Sequence, residues 1–251
     1  MQIGPRYLLR LSTFALSLSL PLLAGVNVLS DGTFVNADWS QVIFTQSGGA
    51  TGSFAQVATG GNPDSFRAFT TDYPSLPNGG AASVILVSFG ANLTHNPSVD
   101  GAVTQLDFGY DIGSISGLVG GRYRPMLRQN GIIYFLLVDD FVTTAWTNRS
   151  HTSTSAADWG ETNGGLGHPD FSASGGTIEF GYRVGLTLSC VTPGGCISGT
   201  IVSGLDNYQV TITTADPTGN VPEPAFSTLS AAALIAAILW RTRGPAIRSS
   251  H

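Results

Sequence analysis

Short runs of β-branched and aromatic residues, each bounded by turn-forming residues, recur along this sequence from residue 42 to residue 213. Such runs are typical of strands, because these side chains pack well on a pleated surface while Gly, Pro, Asn and Asp form turns. We find no apolar repeat of helical period longer than two turns in this part of the chain. The sequence therefore predicts eight strands: Val42–Gln46, Ser65–Thr70, Ser83–Phe89, Thr104–Ile112, Gly121–Arg128, Ile132–Val138, Thr177–Leu188 and Leu205–Thr213.

The pattern within and between these runs indicates antiparallel pairing. In Thr177–Val184, apolar residues at 178, 180, 182 and 184 alternate with Glu179 and Arg183, as expected for a half-buried strand. Asn130-Gly131 is the dipeptide of a tight hairpin, because both central positions of that turn prefer a positive φ. The predicted fold class is all-β, with two antiparallel sheets packed face to face as a sandwich or jelly roll.

Composition supports one acidic domain outside the reducing cytoplasm. Residues 31–224 hold all sixteen acidic residues against six arginines, there is no lysine, and the segment has a net charge of −10. That charge disfavours nucleic acid as a partner. We assign the sandwich domain to residues 31–215 and a short linker to residues 216–220.

The C-terminal part of the sequence indicates a destination rather than an activity. Val221-Pro222-Glu223-Pro224 is followed by an uncharged run from Ala225 to Trp240 and then by Arg241, Arg243 and Arg248. A helix can begin after the two prolines, and sixteen residues at 1.5 Å each span about 24 Å, slightly short of a bilayer core. The arginines predict a cytoplasmic tail at 244–251 with the domain outside. The alternative is a C-terminal helix packed on a soluble core.

This tripartite tail resembles the PEP-CTERM family of exported bacterial proteins. The resemblance implies that residues 221–243 are a sorting signal, with Val221, Pro222, Glu223, Pro224, Arg241 and Arg243 as its functional residues. It also implies an exosortase-type processing enzyme as partner and a cut near Pro222-Glu223-Pro224. The helix at 225–240 would hold the protein in the membrane until that cut releases the domain to the cell surface or extracellular matrix.

The N-terminal segment is typical of a secretory signal peptide. Arg6 and Arg10 precede an apolar stretch from Leu11 to Leu23, which predicts export by the Sec machinery. We place the signal peptide at residues 1–30 with a cut after Ser30, although Ala24 or Gly25 lies closer to the apolar stretch. An uncleaved anchor is the other interpretation.

The two cysteines of the chain, Cys190 and Cys196, flank the turn Val-Thr-Pro-Gly-Gly. Export permits oxidation, and the short separation favours a local disulfide that closes a hairpin. Metal binding would need further ligands, and a redox role is more typical of closer spacing.

Several short segments resemble landmarks of lectin-like and carbohydrate-binding jelly-roll domains. They are Asp31–Phe34 with Trp39, Gly60–Pro63, Leu127–Gly131 and Gly204–Tyr208. The resemblance implies that the closing strand lies beside the first one, and that Asp206, with Asp31 as a partner, holds a structural calcium ion. Alternatively, Asp206-Asn207 only shapes the strand.

Sugar binding calls for exposed aromatic faces beside hydrogen-bonding groups, and the stretch from Thr143 to Asp170 has that composition. It is too rich in turn formers to predict a core strand. The candidate polysaccharide-binding residues are Trp146, Asn148, Asp158 and Trp159. The ligand hypothesis requires the two indoles to be exposed, since large aromatic side chains are usually buried.

The sequence contains no recognisable catalytic constellation. Asp139 and Asp140 are adjacent, so on a strand they point to opposite faces, and no GxSxG or HExxH motif occurs. The predicted function is therefore a non-catalytic exported surface or matrix protein that binds polysaccharide. The alternatives are a structural envelope protein without a specific ligand and a carbohydrate-active enzyme.

Overall fold

The computed structural model describes residues 25–215, and these residues form an antiparallel β-sandwich. Its helical elements are α1 (Pro97–Asp100) and two 3-10 turns at Asn36–Asp38 and Ala156–Asp158. The strands are β1 (Gly25–Asp31), β2 (Trp39–Ser47), β3 (Thr51–Val57), β4 (Phe66–Tyr73), β5 (Ala81–His95), β6 (Val103–Ser116), β7 (Arg122–Gln129), β8 (Ile132–Leu136), β9 (Asp140–Phe141), β10 (Thr147–Thr154), β11 (Trp159–Glu161), β12 (Ile178–Ser189) and β13 (Gly199–Thr214).

The strands form a six-stranded and a seven-stranded sheet. The six-stranded sheet has the order β10-β6-β13-β4-β3, and β1 also pairs with β13. The seven-stranded sheet has the order β11-β8-β7-β12-β5-β2, and β9 also pairs with β7. The predicted two-sheet antiparallel architecture is confirmed.

The first strand belongs to the sandwich along its whole length. Each of its seven residues is in register with β13, from Gly25 opposite Thr214 to Asp31 opposite Tyr208. The closing strand thus lies beside the first strand, as the jelly-roll resemblance implied. The domain boundary predicted after Ser30 falls inside β1, which begins at Gly25, six residues before the predicted domain start at Asp31.

The main core lies between the sheets, and a smaller apolar cluster lies on the other side of the seven-stranded sheet. Tyr123 and Leu127 of β7 point into the main core, whereas Met126 packs with Val87 and Phe89 in the smaller cluster. Because side chains alternate along a strand, this assignment defines the outer face of the seven-stranded sheet.

One arginine is buried in the main core. Arg67 is 2% exposed, and its guanidinium lies 5.4 Å from the Trp39 ring centre and 5.3 Å from that of Phe54. Cation–π contacts of this kind favour a desolvated guanidinium.

The predicted turn and disulfide are both present. Asn130 and Gly131 have φ values of 53° and 80° between β7 and β8. Cys190 and Cys196 are disulfide-bonded, with a Cα–Cα distance of 5.7 Å.

No helix within residues 25–215 is long and apolar enough to cross a membrane. The predicted signal-peptide core, the residue 221–243 sorting signal with its helix at 225–240, and the tail at 244–251 lie outside the described residues.

Candidate functional site

Trp159 is not available to a ligand, which corrects the sequence-based expectation. Its side chain is completely buried, and its ring packs 5.5 Å from that of Phe108 in the main core. A short strand, β11, places it there by pairing with β8. The ring is part of the packing between the sheets and presents no face to solvent.

Trp146 is half-buried against the outer face of the six-stranded sheet. A Cβ atom on Gly204 would lie 2.5 Å from its ring, and its Nε1 donates to the carbonyl of Gly60 at 3.2 Å. Its ring also meets the Phe66 ring edge-on at 5.4 Å. These contacts account for the position of Trp146, whose ring packs over Gly204 as part of the structure.

The polar candidates beside the two tryptophans also have local partners. The side-chain amide of Asn148 donates to Asp111 Oδ1 at 2.9 Å. Asn148 lies on β10, an edge strand within the stretch that was expected to be a loop. Asp158 Oδ2 accepts from the backbone N–H of Ser155 at 2.6 Å and so closes a capping box. The four predicted ligand residues therefore do not form one exposed site.

Asp31 and Asp206 do not fit a shared calcium site. Oδ1 of Asp31 accepts from the backbone N–H groups of Thr33 and Phe34, and its Oδ2 accepts from Trp39 Nε1 at 2.6 Å. Desolvation alone would raise the pKa of Asp31, but these hydrogen bonds outweigh it, and the pKa lies below its ordinary value.

The two oxygens of Asp206 accept from the backbone N–H groups of Asn62 and Asn207. Each of the four oxygens thus already accepts from at least one N–H group, and two carboxylates alone fall short of the roughly six to eight oxygen ligands that calcium takes. Within residues 25–215, no group of three or more His, Cys, Asp or Glu side chains is arranged to hold a metal ion.

A cleft of about 410 Å³ is lined both by side chains on the outer face of the seven-stranded sheet, such as Arg183, and by side chains that pack on the main core, such as Leu186. Most of its lining comes from three chain segments: the loop before β7 with the start of β7, the end of β9, and the second half of β12. Ile85 of β5 and Ile201 of β13 complete it. Leu118, Val119 and Leu186 give it apolar walls, and Arg122, Phe141 and Arg183 give it an aromatic ring and two guanidinium groups. We call this the arginine cleft.

The pairing of β9 with β7 fixes one side of the arginine cleft. Arg122 and Phe141 are directly opposite each other in this ladder, and the Arg122 guanidinium lies 5.6 Å from the Phe141 ring centre. The Phe141 side chain remains 58% exposed, so part of its ring is free to contact a ligand.

Glycine at position 185 makes room for the other side. A Cβ atom there would lie 3.2 Å from Cγ1 of Ile85 and in ordinary contact, at 3.8 Å, with Nη2 of Arg183, so only a longer side chain would compete with the guanidinium for space. Arg183 points away from the core because Tyr182 and Val184, its chain neighbours, are core residues.

A second polar constellation joins the two sheets near β10. Tyr110 donates to Asp140 Oδ2, and the same oxygen lies 2.7 Å from Nε2 of His151. Burial would raise the pKa of Asp140, but the hydrogen bonds from His151 and Tyr110 keep it below its ordinary value.

Asp139 turns the other way and pairs with Arg124, as the sequence predicted for adjacent acidic residues on a strand. Among the described side chains, no serine, threonine or cysteine hydrogen-bonds to His151.

The sequence contained a signal for the arginine cleft that composition alone does not reveal. Arginines occupy positions 122, 124 and 128 of β7, a spacing of two and four residues that places them on one face. Arg183 has the same orientation on β12, the neighbouring strand.

Comparisons with known proteins yield structural likeness only. No family model matches the chain. No curated protein matches it either. A carbohydrate-binding module that recognises mannan has 11% identity and a TM-score of 0.34, over 76% of this chain and 98% of that one.

A xylan-binding domain from Paenibacillus barcinonensis has 9% identity and a TM-score of 0.35, over 76% of this chain and 95% of that one. An exo-β-agarase has 13% identity and a TM-score of 0.38, over 72% of this chain and 24% of the enzyme. Identities and TM-scores of this size do not assign the chain to a family.

Proposed function

We propose that this chain is a non-catalytic, exported β-sandwich that binds polysaccharide in the arginine cleft. The observation that carries the proposal is the exposed ring of Phe141 beside an open cleft that also offers guanidinium donors. A pyranose has an apolar C–H face and a fringe of hydroxyl groups, and such a site matches both. A volume of about 410 Å³ is in the range of small-molecule sites.

The proposal is tested by glycan-array binding of the purified full-length chain in mild detergent. We expect binding to at least one polysaccharide, and we expect Phe141→Ala to weaken it by roughly tenfold, the factor that corresponds to losing about 1.4 kcal/mol of aromatic contact. Phe44→Ala is the matched control, because Phe44 is an exposed aromatic residue on β2 that does not line the cleft.

Absence of binding to every glycan would refute the proposal and favour the structural envelope protein. If Phe141→Ala and Phe44→Ala weakened glycan binding equally, the binding site would not be the arginine cleft.

The export part of the proposal rests on the two chain ends. Because a cut after Ser30 would leave only Asp31 of the seven residues of β1, we favour a signal-peptide cut between Ala24 and Gly25. We propose that an exosortase-type enzyme then cuts near Pro222-Glu223-Pro224 and releases the acidic domain from the membrane.

Replacing Pro222, Glu223 and Pro224 with alanine is expected to keep the protein in the membrane fraction, because the processing enzyme no longer recognises the signal. Immunoblotting of membrane and culture fractions of the native host measures this. The control is triple alanine substitution of Pro217, Thr218 and Gly219 in the linker, which should be released normally. Normal release of the Pro222–Pro224 variant would contradict the sorting hypothesis.

A further inference from the structure

The arginines of this acidic domain are concentrated on one surface. Residues 25–215 contain six arginines, and four of them lie on the outer face of the seven-stranded sheet: Arg122, Arg124, Arg128 and Arg183. Of the other two, Arg67 is buried in the core and Arg149 lies on β10 of the other sheet. The outer face of the seven-stranded sheet is thus rich in arginine, although the domain as a whole is negatively charged.

Three of the four guanidinium groups have a carboxylate partner. Arg124 binds Asp139 through Nε and Nη2, at 2.6 and 2.8 Å, and Arg122 lies 3.5 Å from the same carboxylate. Arg128 binds Glu179 through two nitrogens. Three arginines therefore share two carboxylates, those of Asp139 and Glu179.

Arg183 carries the fourth guanidinium group. No hydrogen bond or ion pair joins this group to any residue in the range 25–215, although the backbone of Arg183 pairs as part of β12. It is half-buried at the wall of the arginine cleft. Partial desolvation lowers its pKa, and repulsion from Arg124 and Arg122 adds to this, while Asp139 opposes it. The cation is therefore less stable here than in water, and the attraction of a bound anion would offset both the desolvation and the repulsion.

We propose that Arg183, with Arg122 beside it, binds the carboxylate of an acidic sugar unit, so that the ligand is a uronic-acid polysaccharide. This inference rests on the proposed function. A guanidinium group matches a carboxylate geometrically, because two parallel N–H groups reach its two oxygens. The Phe141 ring, stacked on Arg122, lies where the apolar face of the same sugar unit can contact it.

The test compares polygalacturonate and alginate with the carboxyl-reduced form of each, using the full-length chain in mild detergent and isothermal titration calorimetry. We expect the acidic forms to bind at least about tenfold more tightly, as hydrogen bonds to charged groups predict. Arg183→Gln should remove this preference while keeping residual affinity for the reduced forms.

The same variant should keep or raise the melting temperature, because the Arg183 guanidinium has no hydrogen bond or ion pair to lose, and because its removal ends the desolvation of the cation and the repulsion from Arg124 and Arg122. Arg128→Gln is the control, since it removes the same charge from the same face outside the arginine cleft and should keep the preference for acidic glycans. Its melting temperature reports separately on the loss of the Glu179 pair.

Equal affinity of the wild-type protein for acidic and reduced glycans would overturn the inference and leave the proposed function standing. Loss of the preference in both Arg variants would also overturn it, because net charge would then explain the selectivity. If the wild-type protein bound neither the uronates, nor their reduced forms, nor neutral glycans, the proposed function itself would fail.

Discussion

Replacing Trp159 with alanine is expected to lower the free energy of unfolding by about 3–5 kcal/mol, the cost of deleting a large aromatic ring from a packed core. Trp159 is completely buried, and it contacts the Phe108 ring between the sheets. For a domain of this size, each kcal/mol corresponds to about 2–4 °C in melting temperature. Urea titration followed by far-UV circular dichroism measures the effect.

Two further variants test whether the loss of core packing causes this destabilisation. Trp159→Phe should cost less than about 1.5 kcal/mol, because it keeps most of the volume and removes a buried indole N–H that has no hydrogen-bond partner within residues 25–215. Trp146→Ala should cost less than Trp159→Ala, because Trp146 is only half-buried. If Trp159→Ala lowered the free energy of unfolding by less than about 1 kcal/mol and also weakened glycan binding, Trp159 would be a ligand-binding residue after all.

Most of the strands that the sequence predicted contribute side chains to the core, although Ile43 and Phe44 of β2 are exposed and Trp159 of the missed strand β11 is buried. All eight predicted runs correspond to strands, namely β2, β4 to β8, β12 and β13. Their apolar alternation is a local property, so local reasoning detects it. The same holds for the Asn130-Gly131 turn and the Cys190–Cys196 disulfide, whose determinants lie within a few residues.

The missed strands are defined by long-range pairing instead. β10 has the polar sequence Thr-Asn-Arg-Ser-His-Thr-Ser-Thr and lies at the edge of its sheet, where polar side chains discourage further pairing. β1 overlaps the segment that the sequence predicted as a signal peptide, and its membership of the sandwich becomes visible only through its pairing with β13, at the other end of the domain.

The candidate site was harder to predict than the fold for a physical reason. The composition of residues 143–170 indicated sugar binding, but composition does not determine which ring is exposed, and tertiary packing buried Trp159. The cleft depends on Phe141, which follows Asp140 on a two-residue strand, and on Arg183, which is distant in sequence. The pairing of β7 with β12 brings Arg122 and Arg183 to the same face of the sheet.

Asp206 forms the centre of a buried polar network rather than a metal site. It is completely buried, and the backbone N–H groups of Asn62 and Asn207 donate to its two oxygens at 2.5 and 2.7 Å. Asp111 lies directly opposite in the β6–β13 ladder. Asn207 has a φ of 50° at an irregularity in that ladder. The carboxylate thus holds the loop before β4 against a distorted part of β13.

Replacing Asp206 with alanine is expected to cost about 2–5 kcal/mol, because two backbone N–H groups lose their acceptor and each costs about 1–3 kcal/mol when buried unpaired. Asp206→Asn should cost about half as much, since its side-chain oxygen can accept from one of them. Urea titrations of the full-length chain measure both. Asp72→Asn, an exposed carboxylate on β4, is the charge control and should cost less than about 1 kcal/mol.

The pH dependence of the Asn variant tests the network more sharply. Burial raises the pKa of Asp206 above 3.8, and repulsion from Asp111 and Asp64 adds to this, although the two N–H donors oppose it. A carboxyl group whose pKa is higher in the folded state binds its proton more tightly there, so its contribution to stability falls as the pH rises through the folded pKa. Asparagine does not titrate. The stability difference between wild type and Asp206→Asn should therefore be largest below pH 3.8 and should shrink as the pH rises. A difference that grows with pH would mean that a cation or another positive group stabilises the ionised carboxylate, which would restore the calcium hypothesis.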